Sequence, residues 1–190
     1  EQGSVVEVAL AEGLAPDLDR LTRHFYATSS CGVCGRASLD ALKALGHPPI
    51  DAGSFRIDSA WLPVLPETLA GRQSGFTATG GLHATASFDA NGHIDRVRED
   101  IGRHNATDKV IGAALAAGDL PLAGRGLLFS GRVSFEILQK ALMAGCPLVA
   151  AVGAPTSLAV ELAWETGITL VGFLRDGRFN VYANPSRITA

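Results

Sequence analysis

Three short apolar runs in the second half of the chain constrain the fold more than any other feature. The runs are Gly126–Phe129, Leu148–Val152 and Ile168–Leu174. Unbroken apolar runs of this length are typical of strands that are buried on both faces of a sheet. Helical patterns separate them, one with its apolar face on Phe135, Leu138, Leu142 and Met143, and one from Ser157 to Thr166. This alternation predicts an α/β layered sandwich whose sheet is at least partly parallel.

Hairpin signals flank these runs on both sides. The turn Ala90-Asn91-Gly92 joins the strand-like segments His83–Asp89 and Ile94–Val97, and its Asn-Gly pair is typical of hairpin turns. A helix is predicted from about residue 105 to 117. After the last apolar run, Asp176-Gly177 predicts a second turn, which leads to a strand around Val181. The sheet is therefore expected to be mixed, with antiparallel hairpins beside the parallel strands.

Composition limits the class of protein. The 190 residues, 47% of them hydrophobic, suit one folded domain, and a net charge of −3 gives no broad field that would attract nucleic acid or anionic lipid. No apolar run approaches the roughly 18–20 residues of a membrane span, and no signal peptide opens the chain. The chain has three cysteines, and so small and uneven a number argues against a disulfide framework. We therefore expect a cytoplasmic protein with neither nucleic-acid nor membrane partners.

The pair Cys31 and Cys34 is the sharpest chemical feature. It precedes a predicted helix that begins near Ser38, and a thiolate near a helix N-terminus is stabilised by the exposed N–H groups. Four roles fit: a redox dithiol, half of a zinc site, a thiol that carries sulfur as a persulfide, or two small residues in a turn. A zinc site would need two further ligands, and neither a second Cys-x-x-Cys nor a His-x₃₋₅-His is present. A structural zinc site therefore stays open as one of the less favoured roles, and Cys146 is expected to be buried and inert.

A zinc deaminase would also combine a Cys-x-x-Cys pair with a histidine and an α/β sandwich. Its signature places His-x-Glu before the cysteines, and the glutamate moves the proton. Here the order is reversed, and the residues after His83 are Ala84 and Thr85, so no carboxylate stands in that position. Deaminase chemistry is not expected.

Three further segments stand where strands end and helices or turns begin, which is where open α/β sheets bind ligands. They are Arg98–Lys109, which contains His104, then Ser130–Arg132, and the turn Phe173–Arg178. The aromatic and the arginines of the last segment suit a purine ring and phosphate oxygens. Structural alternatives remain open for each: a solvated helix start, a helix N-cap at Ser130, and an ordinary hairpin turn.

Taken together, these motifs closely resemble the FdhD family, the formate dehydrogenase accessory sulfurtransferases. The resemblance rests on five ordered segments: Thr28–Gly35, Phe76–His83, Arg98–Lys109, Ser130–Arg132 and Asn180–Ile188. It covers residues 1 to about 188 and implies a cytidine-deaminase-like α/β core and a homodimer. Family members begin with a further sheet-containing segment, so we expect one FdhD-like domain, residues 1–190, that lacks this N-terminal part.

The resemblance also implies a task. A member of this family accepts sulfur from a cysteine desulfurase and delivers it to the molybdenum of bis-molybdopterin guanine dinucleotide, which is destined for formate dehydrogenase. Carried onto this chain, the persulfide falls on Cys31, with Cys34 as helper or alternate acceptor. The cofactor is bound as the substrate to be modified, and GDP is expected to mimic it.

The cofactor-binding residues that the resemblance implies are Phe173, Leu174, Arg175, Asp176, Gly177 and Arg178, with Ser130, Gly131, Arg132 and His104 beside them. The resemblance implies no metal site of the protein's own. The alternatives are a nucleotide-binding scaffold and a zinc-binding protein, both with structural cysteines.

Overall fold

The computed structural model describes residues 7, 9–15, 46–51, 53 and 55–190. The chain divides into two compact units, residues 1–38 and 39–190. The described part of the first unit contains a turn in which the N–H of Leu14 donates to the carbonyl oxygen of Ala11 (3.1 Å). The helices and strands given below all lie in the second unit.

The described elements follow the predicted alternation of strands and helices. In chain order they are β1 (Ile57–Asp58), a 3₁₀ turn (Leu62–Val64), α1 (Leu65–Ala70), α2 (Ser74–Thr79), β2 (His83–Phe88), β3 (Ile94–Asp100), α3 (Arg103–Ala116), β4 (Gly126–Phe129), α4 (Phe135–Met143), β5 (Leu148–Ala151), α5 (Ser157–Thr166), β6 (Thr169–Arg175), β7 (Arg178–Ala183), a 3₁₀ turn (Pro185–Arg187) and β8 (Ile188–Thr189).

Six of the strands form one mixed sheet in the order β3-β2-β4-β5-β6-β7. The central strands β4, β5 and β6 are parallel, while the hairpins β2–β3 and β6–β7 and the β2–β4 pair are antiparallel. The predicted mixed α/β sheet is thus confirmed. Its relation to the cytidine deaminase fold stays a prediction.

One face of the sheet is covered by α3, α4 and α5. Buried side chains of these helices, such as Val110, Leu138 and Leu162, share a cluster with Phe129 and Val149 of the sheet. On α4 the buried positions include Phe135, Ile137, Leu138, Ala141 and Leu142. Met143, predicted on the apolar face, is 47% exposed, because the helix ends there and its side chain lies outside the packed stripe.

The second face is covered by shorter elements. Leu62, Leu65 and Leu69, from the first 3₁₀ turn and α1, pack in a cluster with Phe88 and Leu148 of the sheet. The sheet therefore has an apolar layer on each side, and its strands read as continuous apolar runs because both faces are buried. In the described part of the chain, no helix has the length and apolar character needed to cross a membrane.

Candidate functional site

Four of the segments from the sequence come together at one edge of the sheet: Phe76–His83, Arg98–Lys109, Ser130–Arg132 and Phe173–Arg178. The segment Asn180–Ile188 runs to the opposite edge, where Asn184 and Arg187 bond to residues at the start of β6. Since β4, β5 and β6 are parallel, their carboxyl ends share the first edge. Pairing of His83 with Asp100 places the start of β2 and the end of β3 there as well. The β6–β7 turn and the N-termini of α3, α4 and α5 follow directly from these strand ends. Such an edge is where open α/β sheets bind ligands.

The turn between β6 and β7 presents an aromatic ring with an arginine above it. A bulge in the register between Gly172 and Arg175 gives Phe173 a φ of +54°, which is uncommon for a bulky residue. The N–H of Phe173 donates to the carbonyl oxygen of Gly153 (3.1 Å), which holds this conformation. The Cζ atom of Arg175 lies 5.7 Å from the centroid of the Phe173 ring. This distance is that of a cation–π contact.

A shallow pocket of about 260 Å³ opens at this turn. It is lined by Phe173, Arg175, Asp176, Arg178, Phe179 and Asn180. The predicted residue Leu174 is fully buried in the second core cluster, so its side chain supports the turn from below. Phe179 belongs to none of the predicted segments, and Asn180 was predicted only as the start of the segment Asn180–Ile188 and not as a binding residue. Their place in the strand that returns from the turn could have identified them.

Ser130–Arg132, at the end of β4, is held between two neighbouring segments. The Oγ of Ser130 accepts from the N–H of Ala84 (2.9 Å), and the Gly131 carbonyl oxygen accepts from the N–H of Gly153 (3.1 Å). The structural alternative for Ser130 was a helix N-cap, and Ser130 does not occupy that position in α4. That position belongs to Ser134, because the loop runs four residues further before the helix begins. The Arg132 side chain is exposed.

His104 lies in the first turn of α3 beside the start of α4. Its Nε2 atom is 3.2 Å from the Oγ of Ser134 and 3.9 Å from Oε2 of Glu136. Partial burial and the positive charge of Arg103 lower the pKa of His104, which therefore favours the neutral ring. The Nε of Arg103 is buried and makes no hydrogen bond within the described residues.

The remaining charges of Arg98–Lys109 form the structural network that was the alternative interpretation. Asp100 accepts from Lys109 (2.6 Å), from the N–H of Gly102 (2.9 Å) and from Asn105 (3.1 Å). These contacts lower the pKa of Asp100 to about 2, and the hydrogen bond from Lys109 makes the largest contribution. The carboxylate of Glu99 accepts from the N–H groups of Gly75 and Phe76 at the start of α2. Asp100, Asn105 and Lys109 thus hold the beginning of α3 in place.

Cys31 and Cys34 lie outside the described residues. Cys146 is fully buried, and burial raises the pKa of its thiol to about 12, which keeps it protonated and unreactive. The prediction that Cys146 is buried is confirmed. Within the ranges that the structure describes, no group of three or more His, Cys, Asp or Glu side chains is placed to hold a metal ion.

Comparison with known proteins decides the family. Residues 1–189 match the family model described as FdhD/NarQ family. The chain belongs to the FdhD/NarQ family. The resemblance seen in the five sequence segments is therefore confirmed, and the edge of the sheet described above is part of an FdhD/NarQ fold.

Curated relatives in the FdhD/NarQ family carry the name sulfur carrier protein FdhD. The chain is 54% identical to the one from Streptomyces coelicolor, over 97% of this chain and 66% of the relative. It is 53% identical to the one from Mycobacterium tuberculosis, over 98% of this chain and 67% of the relative. It is 44% identical to the one from Sulfolobus acidocaldarius, over 88% of this chain and 64% of the relative. The chain thus spans about two thirds of the length of these relatives.

A solved structure has the same fold. It is described as a formate dehydrogenase accessory protein from Desulfotalea psychrophila, and it matches with a TM-score of 0.69 and 26% identity. The match covers 81% of this chain and 62% of that protein. The fold of this chain is thus shared with that protein.

Proposed function

We propose that this chain forms the core of a sulfurtransferase that carries sulfur as a persulfide on Cys31. It receives the sulfur from a cysteine desulfurase and delivers it to the molybdenum of bis-molybdopterin guanine dinucleotide, for use by formate dehydrogenase. The curated relatives, named sulfur carrier proteins at 44–54% identity, support the sulfur-carrying part of the proposal. The homodimer, the deaminase-like core and the cytoplasmic location belong to the same proposal and rest on the family resemblance.

The chemistry on the cysteine requires no outside oxidant. The Cys31 thiolate attacks the outer sulfur of the desulfurase persulfide, a new S–S bond forms on Cys31, and the desulfurase thiolate leaves. On delivery, the outer sulfur atom passes to Mo(IV), takes up two electrons to become the sulfido ligand of Mo(VI), and leaves Cys31 as a thiolate. Cys34, three residues further along the chain, serves as helper or alternate acceptor.

The observation that carries the cofactor part of the proposal is the pocket at the β6–β7 turn. A nucleotide needs a flat surface for the base and positive charge for the phosphates. Phe173 supplies the first, and Arg175 and Arg178 supply the second beside it. Their pairing in one pocket of about 260 Å³ is what a guanine nucleotide end of the cofactor would require.

The neighbouring loops fit the approach of a phosphate-bearing ligand. Gly153 and Gly131 lie so close that a Cβ on Gly153 would stand 2.9 Å from the carbonyl carbon and oxygen of Gly131. Only glycine at position 153 lets the two backbone segments approach this closely at the ligand-binding edge. Arg103, with a buried Nε that lacks a hydrogen bond from the described residues, brings an additional cation near His104. These features support Ser130, Gly131, Arg132 and His104 as neighbours of the bound cofactor.

The sulfur-carrying role is tested by mass spectrometry after incubation with a cysteine desulfurase and cysteine. We expect an adduct of about 32 Da on Cys31. The adduct on residue 31 should disappear in Cys31→Ala. It should remain in the matched control Cys146→Ala, because the Cys146 thiol is buried and is not expected to accept sulfur. An adduct that fragment ions locate on Cys34 and not on Cys31 in the unsubstituted chain would refute the assignment to Cys31.

The nucleotide site is tested by titrating GDP onto the protein and onto Arg175→Gln. Loss of the guanidinium should weaken binding about ten-fold, since charge-assisted hydrogen bonds to phosphate are among the strong ones. Arg56→Gln is the control, because Arg56 is exposed and lies outside the pocket. GDP binding without any sulfur adduct would instead favour the alternative of a nucleotide-binding scaffold.

A further inference from the structure

Ile101, in the loop between β3 and α3, is the most exposed large apolar side chain in the described part of the protein. It is 79% exposed, although the chain on both sides of it is fixed in a strand and a helix. The loop stands at a corner of the ligand-binding edge, because β3 is the outermost strand and ends there beside the start of β2. Burial of an isoleucine side chain is favourable, so a partner that covers Ile101 gains free energy from the contact.

The loop that carries Ile101 is braced on both sides by one hydrogen-bond network. Asp100 accepts from the N–H of Gly102 (2.9 Å) and from Lys109 (2.6 Å). The Lys109 ammonium also donates to the carbonyl oxygen of Glu99 (3.0 Å). These bonds join the end of β3 to the first turns of α3. A partner therefore does not have to order the loop before it binds, which lowers the entropic cost of association.

Two arginines stand beside this loop without a carboxylate partner. Arg98 is exposed, and its one hydrogen bond within the described residues goes to a backbone carbonyl oxygen (2.8 Å). Arg103 has a buried Nε with no hydrogen bond, and neither guanidinium forms a salt bridge with an acid in the described ranges. The nearby acids are already engaged, Glu99 by two backbone N–H groups and Asp100 by Lys109. The margin of the loop is therefore positive, which complements an acidic surface.

The position of the loop indicates what kind of partner it meets. In the proposed function, the cofactor leaves this edge of the sheet and enters the dehydrogenase that will use it. The acceptor must therefore approach the same edge, and a contact around its margin keeps water away during the transfer. We infer that the loop from Asp100 to Gly102, together with Arg98, docks an acidic surface of the acceptor dehydrogenase, with Ile101 held in an apolar hollow of that surface. The inference rests on the proposed function.

The experiment measures binding of the 190-residue chain to purified, cofactor-free formate dehydrogenase from the same organism by surface plasmon resonance. Ile101→Ser should weaken the affinity at least about ten-fold, because a buried apolar anchor contributes much of the energy of such contacts. Leu115→Ser is the matched control, since Leu115 is also exposed (65%) but lies at the other end of α3, and it should leave binding unchanged. Both positions are exposed, so both variants should unfold at the same urea concentration as the unsubstituted chain.

The charge of the loop is tested separately by Arg98→Gln. At low salt this variant should bind the dehydrogenase about three-fold more weakly, and the difference should vanish as the salt concentration rises, because salt screens exposed charges. Arg56→Gln, which removes an exposed arginine outside the loop, should bind as the unsubstituted chain does. Equal affinities of Arg98→Gln and Arg56→Gln at low salt would overturn the acidic character of the partner surface.

The outcomes separate the inference from the proposed function. Equal binding of the dehydrogenase by Ile101→Ser and Leu115→Ser, or no binding by an unsubstituted chain that carries sulfur on Cys31, overturns the inference while the sulfur-carrying role stands. Binding that depends on Ile101, in a protein whose cysteines take up no sulfur, supports the inference and contradicts sulfur transfer. If Ile101→Ser leaves dehydrogenase binding intact and weakens sulfur uptake from the desulfurase, GDP binding or self-association, the side chain serves that other contact and the inference is wrong.

Discussion

Replacement of Gly153 by alanine tests whether the close packing of two loops builds the ligand-binding edge. The added Cβ would lie 2.9 Å from the carbonyl carbon and oxygen of Gly131 and 3.0 Å from Cγ of Arg132. Ordinary contacts between such atoms are about 3.5–4.0 Å. The two loops would therefore have to separate by roughly 0.6–1 Å, and the atoms in the way are mostly backbone, which cannot rotate aside.

The cost can be worked out from these contacts. Overpacking of this kind costs about 1–3 kcal/mol. Separation of the loops also weakens two hydrogen bonds, from Gly153 N–H to Gly131 and from Phe173 N–H to Gly153, worth about 0.5–1.5 kcal/mol each. We expect a loss of about 3 kcal/mol in the free energy of unfolding. For a chain of this size that lowers the Tm by roughly 6–12 °C.

Urea unfolding monitored by circular dichroism measures this loss, and a GDP titration reports the turn that Phe173 occupies. Gly124→Ala is the matched control, since a Cβ there meets no atom within 4 Å, and its free energy of unfolding should change by less than about 1 kcal/mol. If Gly153→Ala unfolds at the same urea concentration as Gly124→Ala, the packing argument is wrong. If it is destabilised but binds GDP normally, the loop does not position the pocket.

Three further predictions concern stability and reactivity. Gly112→Ala, at an open, exposed position inside α3, should raise the free energy of unfolding by about 0.5–1 kcal/mol in urea; a decrease would contradict this expectation. Lys109 holds the pKa of Asp100 at about 2, below its ordinary 3.8, so ionised Asp100 stabilises the fold above pH 3.8 and this stabilisation is lost as the pH falls towards 2. Urea titrations at about pH 6 and pH 2.5 measure how much the free energy of unfolding falls between the two pH values. This fall should be smaller for Asp100→Asn than for the unsubstituted chain, and equal falls would count against the network. In Cys31→Ser/Cys34→Ser, Cys146 should resist iodoacetamide in the native protein and react in urea, because its buried thiol has a pKa of about 12.

The arrangement of strands and helices could be predicted from local pattern. The apolar runs Gly126–Phe129 and Leu148–Val152 became β4 and β5 within one residue, and Ser157–Thr166 became α5 without change. Asn91-Gly92 joined β2 to β3 as expected. These features follow from the sequence because strand burial, helix periodicity and turn preference each depend on neighbouring residues. The resemblance to the FdhD family was also visible, since it lies in the order of short motifs.

The composition of the candidate site depended more on tertiary contacts. The sequence placed Phe173, Arg175 and Arg178 in one turn, and the structure forms a pocket there, but it buries Leu174 from the same segment. Local pattern could not show this, because the bulge in β6 changes which side chains point outward.

The chain by itself determined its mixed α/β class, its family and the segments in which chemistry was expected. Only the tertiary structure brought Gln73, a residue that no motif marks, into a pocket with Ser130, and gave Ser130 a bond to Ala84 in place of a capping role. Residues far apart in the sequence meet at this edge because parallel strands end together. The partner of a buried polar group is therefore set by strand pairing across the sheet and not by the residues beside it in the chain.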